Sequence, residues 1–514
     1  MTKDSAQEFT SEDLSKEHER LGVIVTKLIA DYARTLDDKV LCSRAAPADL
    51  EKLFHEELPR EGTDAEKIFE SFARDVLPHG MNISSPRYFG QFNPTPLAIG
   101  VWADALIAAM NQNGAVWRNS PAASVIETQV TKWLCDRVGY GDAGFGTLAS
   151  GGSEANLIAL KCARDHVAEE APNDGLRQTR GNTERTERTS GALIVYASEQ
   201  CHYSLDKSVD IIGVGRRNLR KIETDGRFHI RVDRLVEEIE RDVAAGDVPC
   251  AIVGVAGTTS TGAIDPLDEL ARVAEEYKLW FHVDAAYGGA LVFSDEHKHI
   301  LRGLERADSV TIDPHKWMFV PFACGAILVR DGQCVLRRSF DASPEYLSER
   351  RERMSGADVE YDLFRYGQLG TRRANSLKLW MCLKLLGARG YARIIDRQIE
   401  LTQNFARRID ASMNFERAGE VETAVCCFRF TPEEVRGTSQ NERDELQQAL
   451  QQRIEHNGKA WFASTVIKGG RALRVNVNSY LTRERHIVDL VELLEREGAK
   501  LSAEKRREAK DTEA

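Results

Sequence analysis

The sequence lacks the patterns that mark secreted, membrane-spanning and nucleic-acid-binding proteins. Its ten cysteines include no CxxC pair and lie in apolar stretches such as 424–428, which predicts buried free thiols in a reducing, cytoplasmic location. No apolar run reaches the roughly 18 residues of a membrane span, and the polar first 20 residues lack the apolar core of a signal peptide. A net charge of −11 argues against a nucleic-acid or anionic-membrane partner.

What remains is a globular chain of 514 residues, long enough for several packed regions. Apolar residues at helical spacing predict an N-terminal helical segment over 1–85. In 86–385, short β-branched runs alternate with helical stretches, which predicts a large domain with a mainly parallel sheet. The region 386–514 is expected to form a small α+β domain with a frayed, charged tail. The clearest predicted strands are 192–196, 251–255, 280–283, 309–312 and 325–329, followed by 424–430 and 471–477 in the small domain.

Two glycines and a serine precede a strong amphipathic helix pattern in the run TLASGGSEAN. Gly151 and Gly152 allow the backbone to approach a ligand, Ser153 offers a hydroxyl group, and the helix dipole favours an anion at this point. The run therefore predicts a phosphate site. Taken alone, an ordinary glycine-rich loop with a capped helix explains it equally well.

A hydrophobic strand pattern ends on Asp284 in the run LWFHVDAAYGGA. A carboxylate at the tip of a buried strand is costly unless a cation pairs with it, and a protonated pyridine nitrogen is such a cation. The small residues Ala285 and Ala286 would leave room for a flat ring. By itself, Asp284 could equally be a metal ligand or a helix N-cap.

Lys316 follows another strand pattern, in the run DPHKW. An apolar setting disfavours the charged form of a lysine and makes its amine a better nucleophile for imine formation. A structural lysine with its amine at the surface is the alternative. A phosphate site, a cation-pairing carboxylate and an imine-forming lysine are together the three features that pyridoxal phosphate requires.

With SGGSEAN, HVDAAYGG and DPHKW in this order, the chain resembles the group II pyridoxal-phosphate-dependent amino-acid decarboxylases over about residues 85–485. The resemblance implies an α/β protein of fold type I, like aspartate aminotransferase, with a mainly parallel seven-stranded sheet and a small C-terminal α+β domain. It also implies pyridoxal phosphate as cofactor, no metal, and a homodimer with active sites at the interface. The implied reaction converts an L-amino acid to its amine and carbon dioxide.

The resemblance assigns a role to each matching position. Lys316 forms the imine with the cofactor, Asp284 pairs with the pyridine nitrogen, and His202 in SEQCHYS stacks on the ring. Tyr346 in SPEYLSE protonates the carbon from which carbon dioxide departs, and its presence favours amine over aldehyde products. The residues expected to contact the cofactor are Gly151, Gly152, Ser153, His202, Thr259, Asp284, Ala286, Asp313, His315 and Lys316.

In the resemblance, the substrate pocket is built from 88–96 and, from the other subunit, 111–121. The candidate substrate-binding residues are Asn93, Thr95, Asn113 and Arg372, although Arg372 could instead pair with a buried carboxylate. Arg118 after Trp117 disfavours a basic substrate. Aromatic and acidic amino acids such as aspartate, glutamate or cysteine sulfinate both remain possible, and a carbon–carbon lyase of the sphingosine-phosphate-lyase type is the alternative reaction.

Overall fold

The computed structural model describes residues 10–176, 191–341, 362–435 and 437–513. The first helices are α1 (Ser11–Arg34), α2 (Pro47–Phe54) and α3 (Ala65–Ser71). A capping box in which Thr10 and Asp13 exchange hydrogen bonds begins α1. None of these three helices has a buried residue. Several of their apolar side chains, including Val23 and Phe54, are exposed on the surface of the single chain.

The remaining elements are helices and strands in mixed order. The helices are α4 (Ala98–Met110), α5 (Pro121–Val138), α6 (Gly152–Val167), α7 (Ala171–Asp174), α8 (Ser204–Ile211), α9 (Val232–Ala244), α10 (Leu267–Tyr277), α11 (Gln333–Phe340), α12 (Ser376–Asp410), α13 (Gln440–Asn457) and α14 (Glu484–Glu513). The strands are β1 (Tyr88–Phe89), β2 (Phe145–Ala149), β3 (Leu193–Ser198), β4 (Leu219–Ile222), β5 (Val248–Val255), β6 (Trp280–Asp284), β7 (Ser309–Ile312), β8 (Gly325–Val329), β9 (Phe415–Arg417), β10 (Val425–Phe430), β11 (Trp461–Ile467) and β12 (Gly470–Asn476).

Seven strands form the large sheet, in the order β2-β8-β7-β6-β5-β3-β4. The pairs from β4 to β7 are parallel, and β8 runs antiparallel to both of its neighbours. The predicted fold class, a mainly parallel seven-stranded sheet, is confirmed. Two of these strands were not predicted, because β2 has few β-branched residues and the two central residues of β4 are not buried, so neither forms a continuous apolar run.

Both faces of the large sheet are covered. Val195 and Val253 point to the side of α6 and α8, whereas Tyr196 and Ile252 point to the side of α5, α9 and α10. Burial on both faces explains why the central strands appear in the sequence as uninterrupted apolar runs. Because β6 and β7 are parallel, their carboxyl ends lie at the same edge of the sheet, where they meet the amino end of α6.

The small sheet has the order β1-β11-β12-β10-β9 and is antiparallel except where β1 joins β11. Through β1, the predicted pocket segment 88–96 is attached to this second sheet. Helix α12 crosses the predicted domain boundary at 385 and is kinked at Gly387, which has a φ of +60°. The boundaries themselves stay a prediction.

The cysteines and the hydropathy of the helices were both subjects of expectations from composition. The ten cysteines are free, and all except Cys42, Cys201 and Cys334 are buried. Within the described ranges, no helix is both long and apolar enough to cross a membrane.

Candidate active site

The three sequence motifs meet at a cavity of about 360 Å³ at the carboxyl edge of the large sheet, named here the catalytic cavity. Every residue predicted to contact the cofactor lines it: Gly151, Gly152, Ser153, His202, Thr259, Asp284, Ala286, Asp313, His315 and Lys316. Other lining residues, which the sequence analysis did not single out, include Phe92, Glu154, Asn156 and Tyr287. Segments that are far apart in the sequence thus share one site.

Asp284 is the last residue of β6, and its carboxylate is buried in the wall of the cavity. Its Oδ2 accepts a hydrogen bond of 2.8 Å from Asn156 Nδ2, and its Oδ1 accepts one of 3.2 Å from the Ala286 backbone N–H. In the described part of the chain, no basic side chain lies within 4.0 Å of this carboxylate. A buried carboxylate that faces a cavity with neutral donors alone suits a ligand that brings its own positive charge, as a protonated pyridine does.

Asn156 connects Asp284 to a buried polar network behind the cavity. Because a carboxylate only accepts hydrogen bonds, the amide nitrogen of Asn156 must face Asp284, and its oxygen must face Thr311 Oγ1 at 2.8 Å and His282 Nε2 at 3.1 Å. His282 therefore donates through Nε2, while its Nδ1 lies 2.9 Å from Ser309 Oγ. Burial lowers the pKa of His282 to about 4, so this histidine is neutral at neutral pH.

The same amide also reaches the histidine on the other side of the cavity. Asn156 Nδ2 lies 3.2 Å from Ser204 Oγ, which is 2.8 Å from His202 Nδ1. The Ser204 backbone N–H also donates to His202 Nδ1, at 3.3 Å. Nδ1 is thus the accepting nitrogen, and the neutral ring carries its proton on Nε2. Burial lowers the pKa of His202, which favours this neutral form.

The amino end of α6 forms a further part of the cavity wall. A Cβ added at Gly152 would lie 2.8 Å from Asp313 Oδ2, and one added at Gly151 would lie 3.0 Å from His315 Cε1, so a larger residue at either position would crowd a side chain of the cavity. The first N–H groups of a helix have no intrahelical partner and, with the helix dipole, attract an anion. Glu154, whose charge opposes this effect, accepts a hydrogen bond of 2.7 Å from the Ser150 N–H.

Lys316 lies beyond the end of β7, with its Nζ 3.0 Å from Asp313 Oδ2. The sequence suggested an apolar setting for this amine, whereas the structure places a buried carboxylate against it. Asp313 Oδ1 is buried and has no hydrogen-bond partner. His315 accepts a hydrogen bond of 3.0 Å from the Cys324 N–H at Nδ1, and burial lowers its pKa. Its Nε2 lies 3.6 Å from Asp313 Oδ2.

An aromatic wall borders the cavity next to Lys316. The rings of Phe92 and Tyr287 have centroids 4.0 Å apart, and Tyr287 stacks on Trp317 at 4.7 Å. Tyr287 is fixed further by a hydrogen bond of 3.1 Å to Asn476 Oδ1 in the small sheet. Behind Phe92, the Arg474 guanidinium lies 5.2 Å from the ring centroid. The wall therefore depends on both sheets.

The four predicted substrate residues lie outside the lining of this cavity. Asn93 is half-buried beside Phe92, and Thr95 is buried with its hydroxyl oxygen 2.7 Å from Ser479 Oγ. Asn113 Oδ1 accepts from the Arg372 N–H at 3.1 Å.

The Arg372 side chain forms a buried ion pair, which was the alternative to a role in substrate binding. Its Nη2 lies 2.7 Å from Glu127 Oε1, and its Nη1 donates to the Leu148 carbonyl oxygen at 2.6 Å. Tyr346, the predicted proton donor, lies outside the described residues. The roles assigned to all these residues stay predictions.

The fold and this cavity define a class of protein. An anion site at a helix terminus, a buried carboxylate without a cation and a lysine at the edge of a seven-stranded sheet fit the phosphate, the pyridine nitrogen and the aldehyde of pyridoxal phosphate. The class is the pyridoxal-phosphate-dependent enzymes of fold type I.

Comparison with known proteins identifies the family within this class. The model of the pyridoxal-dependent decarboxylase conserved domain matches residues 47–431, and the chain belongs to this family. Tryptophan decarboxylase 2 of Oryza sativa subsp. japonica is 30% identical, with 93% of this chain and 94% of that protein covered.

Solved structures of relatives agree with this assignment. Mouse CSAD has a TM-score of 0.86 and is 28% identical, with 93% of this chain and 98% of the other covered. Oryza sativa TDC with PLP and tryptamine also has a TM-score of 0.86 and is 27% identical, with 97% and 100% covered. The protein is an amino-acid decarboxylase that uses pyridoxal phosphate, which confirms the predicted family, cofactor and reaction.

Proposed function

We propose that the substrate is an aromatic L-amino acid, which the enzyme converts to its amine and carbon dioxide. The observation that carries this proposal is the aromatic wall formed by Phe92 and Tyr287, whose rings offer flat apolar surface in the cavity that Lys316 also lines. Among the described lining residues of the catalytic cavity there is no arginine, the side chain best suited to hold a second carboxylate. The similarity to tryptophan decarboxylase 2 supports the same substrate class.

An acidic substrate is the second candidate, and Arg474 is the residue that favours it. This guanidinium is buried, has no carboxylate within 4.0 Å among the described residues, and carries an Nε without a hydrogen-bond partner. It donates to the backbone oxygens of Thr259 and, at 3.1 Å, Gly90. Phe92 lies against it, so we expect the ring to keep a substrate carboxylate away from this charge.

The proposed roles in the site follow from the contacts described above. Lys316 holds the cofactor covalently, Asp284 pairs with its pyridine nitrogen, His202 covers one face of its ring, and the amino end of α6 holds its phosphate. When bound, the cofactor supplies an electron sink for the bond between the α-carbon and the carboxylate. Asn156 keeps the Asp284 carboxylate in place through its amide nitrogen.

The proton for the product comes from the protein in this proposal. His202 accepts hydrogen bonds at Nδ1 and carries its proton on Nε2. Because loss of that proton from the neutral ring would leave an imidazolate, His202 delivers a proton at the α-carbon only as the imidazolium, after it has taken up a second proton. Tyr346 is the second candidate donor on the basis of the family resemblance, although it lies outside the described residues. Neutral His282 adds no competing charge near Asp284.

We propose that the active enzyme is a homodimer. Helices α1 to α3 have no buried residue, and Trp102, Leu106 and Met110 on α4 are also exposed. Exposed apolar side chains in this number are unusual on the surface of a monomer and indicate an interface. Light scattering coupled to size-exclusion chromatography should give about twice the 57.5 kDa chain mass, and a monomer would contradict the proposal.

The test of the substrate is turnover by purified holoenzyme with a panel of aromatic, acidic and basic L-amino acids, measuring carbon dioxide and amine. We expect release of both from an aromatic substrate and none from aspartate or glutamate. Turnover restricted to the acidic substrates would overturn the aromatic assignment and favour Arg474 as the residue that binds the side-chain carboxylate. The visible absorption band of the bound cofactor shows in each preparation that the enzyme is loaded.

A further inference from the structure

A second cavity, of about 520 Å³, lies where the turn before α9 meets one end of the small sheet. It has no lining residue in common with the catalytic cavity. Four cationic side chains line it, namely Arg429, Arg443, Lys468 and Arg471, and we call it the basic cavity. This concentration of positive charge contrasts with the net charge of −11 of the whole chain.

The four cations of the basic cavity are not neutralised by the protein. Within the described ranges, none of them has a carboxylate oxygen within 4.0 Å, whereas other arginines of the same region form ion pairs, namely Arg408, Arg417 and Arg453. The one acidic residue in the lining is Glu416, which is exposed and stands opposite Arg429 in the pairing of β9 with β10. The cavity therefore carries an excess of positive charge.

Neutral oxygen atoms hold the arginines of this cavity in place. Arg429 donates from Nε to the Arg471 carbonyl and from Nη2 to the Ile467 carbonyl, each at 3.3 Å. Arg443, in the first turn of α13, donates to the Thr438 carbonyl at 2.8 Å. These bonds fix the guanidinium groups but leave their charges without a counterion.

Arg471 supplies a donor that is buried and unused. Its Nη1 donates to Ser464 Oγ at 3.1 Å, while its Nε is buried and has no hydrogen-bond partner. An unsatisfied buried donor on a charged group costs free energy unless a ligand or water completes it.

We propose that the basic cavity binds a small phosphate-bearing anion. Guanidinium groups match the oxygens of phosphate in pairs, and three arginines converge here with a lysine. The volume lies in the range of about 300–1,000 Å³ typical of small-molecule sites.

Such an anion would bind at the junction of the two sheets. Phe228, in the turn before α9, lines the basic cavity, and Lys468 Nζ lies 5.2 Å from the centroid of its ring. Two ion pairs join the same turn to the small domain, Arg227 with Glu420 at 3.2 Å and His229 with Glu422 at 2.5 Å. Ligand bound in the basic cavity would add a further link across this junction.

Isothermal titration calorimetry of the holoenzyme with pyrophosphate tests the proposal, in a phosphate-free buffer whose ionic strength is held constant with sodium chloride. We expect one pyrophosphate per chain, and at least about tenfold weaker binding by the Arg429→Gln/Arg443→Gln double variant, since loss of 1.4 kcal/mol corresponds to a factor of ten. Arg389→Gln, an exposed arginine on α12 without an ion pair among the described residues, is the matched control and should bind normally. The absorption of the bound cofactor must stay constant, which shows that pyrophosphate is not entering the catalytic cavity.

Lys468→Gln provides a variant that is safe for folding, because Lys468 is exposed in the turn between β11 and β12. It should weaken pyrophosphate binding by severalfold without changing the thermal unfolding midpoint. Absence of binding by the wild-type holoenzyme, or equal binding by all variants, would overturn the proposal. Binding of citrate without binding of pyrophosphate would overturn the phosphate assignment. None of these measurements depends on the amino-acid substrate.

Discussion

Asn156 Nδ2 donates a hydrogen bond of 2.8 Å to Asp284 Oδ2 in the buried wall of the catalytic cavity. The same nitrogen approaches Ser204 Oγ, which contacts His202. One amide therefore orients both the carboxylate proposed to pair with the pyridine nitrogen and the histidine proposed to cover the ring. Since Asp284 fixes which way the amide faces, it also fixes the protonated nitrogen of His282.

Replacing Asn156 with leucine keeps the branched shape of the side chain but removes these hydrogen bonds. We expect pyridoxal phosphate to bind about 10- to 100-fold more weakly, because a hydrogen bond to a charged group contributes roughly 1.5–3 kcal/mol. Equilibrium titration of apoenzyme with the cofactor measures this directly. If Asn156 only packs the core, the thermal unfolding midpoint will fall while the affinity for the cofactor stays unchanged, and that result would contradict the positioning role.

Lys316→Ala should abolish the visible absorption of the covalently held cofactor and reduce turnover by several orders of magnitude, since no other described lysine lines the catalytic cavity. Absorption spectra and amine release under saturating cofactor are the measurements. Lys298→Ala, a change at an exposed lysine, should leave both intact. A Lys316→Ala enzyme that still turns over at the normal rate would remove this lysine from the proposed mechanism.

The sequence predicted most of the elements that build the site, for a physical reason. The central strands are buried on both faces, so they appear as apolar runs, and the functional motifs follow strand ends directly. Asn156 could have been found in SGGSEAN, because it lies four residues after Gly152 and so on the same face of α6. Lys316 and Asp313 are likewise three residues apart in DPHK, a spacing that brings side chains together in a helical turn.

Contacts between distant segments could not be predicted from local patterns in the sequence. Nothing local in the sequence indicates that Phe92 packs on Tyr287, or that Arg372 pairs with Glu127 instead of facing the catalytic cavity. The strand β1, only two residues long, was missed because its pairing with β11 is set by the tertiary fold and not by a pattern. The substrate-binding residues were for the same reason the least predictable part of the site.

His282 should make the fold sensitive to acid. Burial lowers its pKa in the folded protein from 6.5 to about 4, so below pH 6.5 the unfolded chain takes up a proton that the folded chain does not. The folded state accordingly loses stability as the pH falls from 6.5 towards 4, by roughly 3 kcal/mol in all. Thermal unfolding midpoints measured across this range should fall less steeply in His282→Gln than in the wild type. Parallel curves would show that another group dominates.

The relation between Phe92 and Arg474 leads to a prediction about specificity. The ring forms part of the wall of the catalytic cavity and also covers the buried guanidinium behind it, 5.2 Å away. Phe92→Ala should remove ring contacts worth about 0.5–1.5 kcal/mol to an aromatic substrate, which lowers kcat/KM about threefold to tenfold, and should open a path from the cavity to a positive charge. The ratio of kcat/KM for an aromatic substrate to that for glutamate should therefore fall by at least tenfold.

Phe92→Ala/Arg474→Gln distinguishes the two effects, because the second change should cancel any gain with glutamate but restore nothing with the aromatic substrate. If Phe92→Ala leaves the ratio unchanged, the aromatic wall does not determine which amino acid this enzyme decarboxylates.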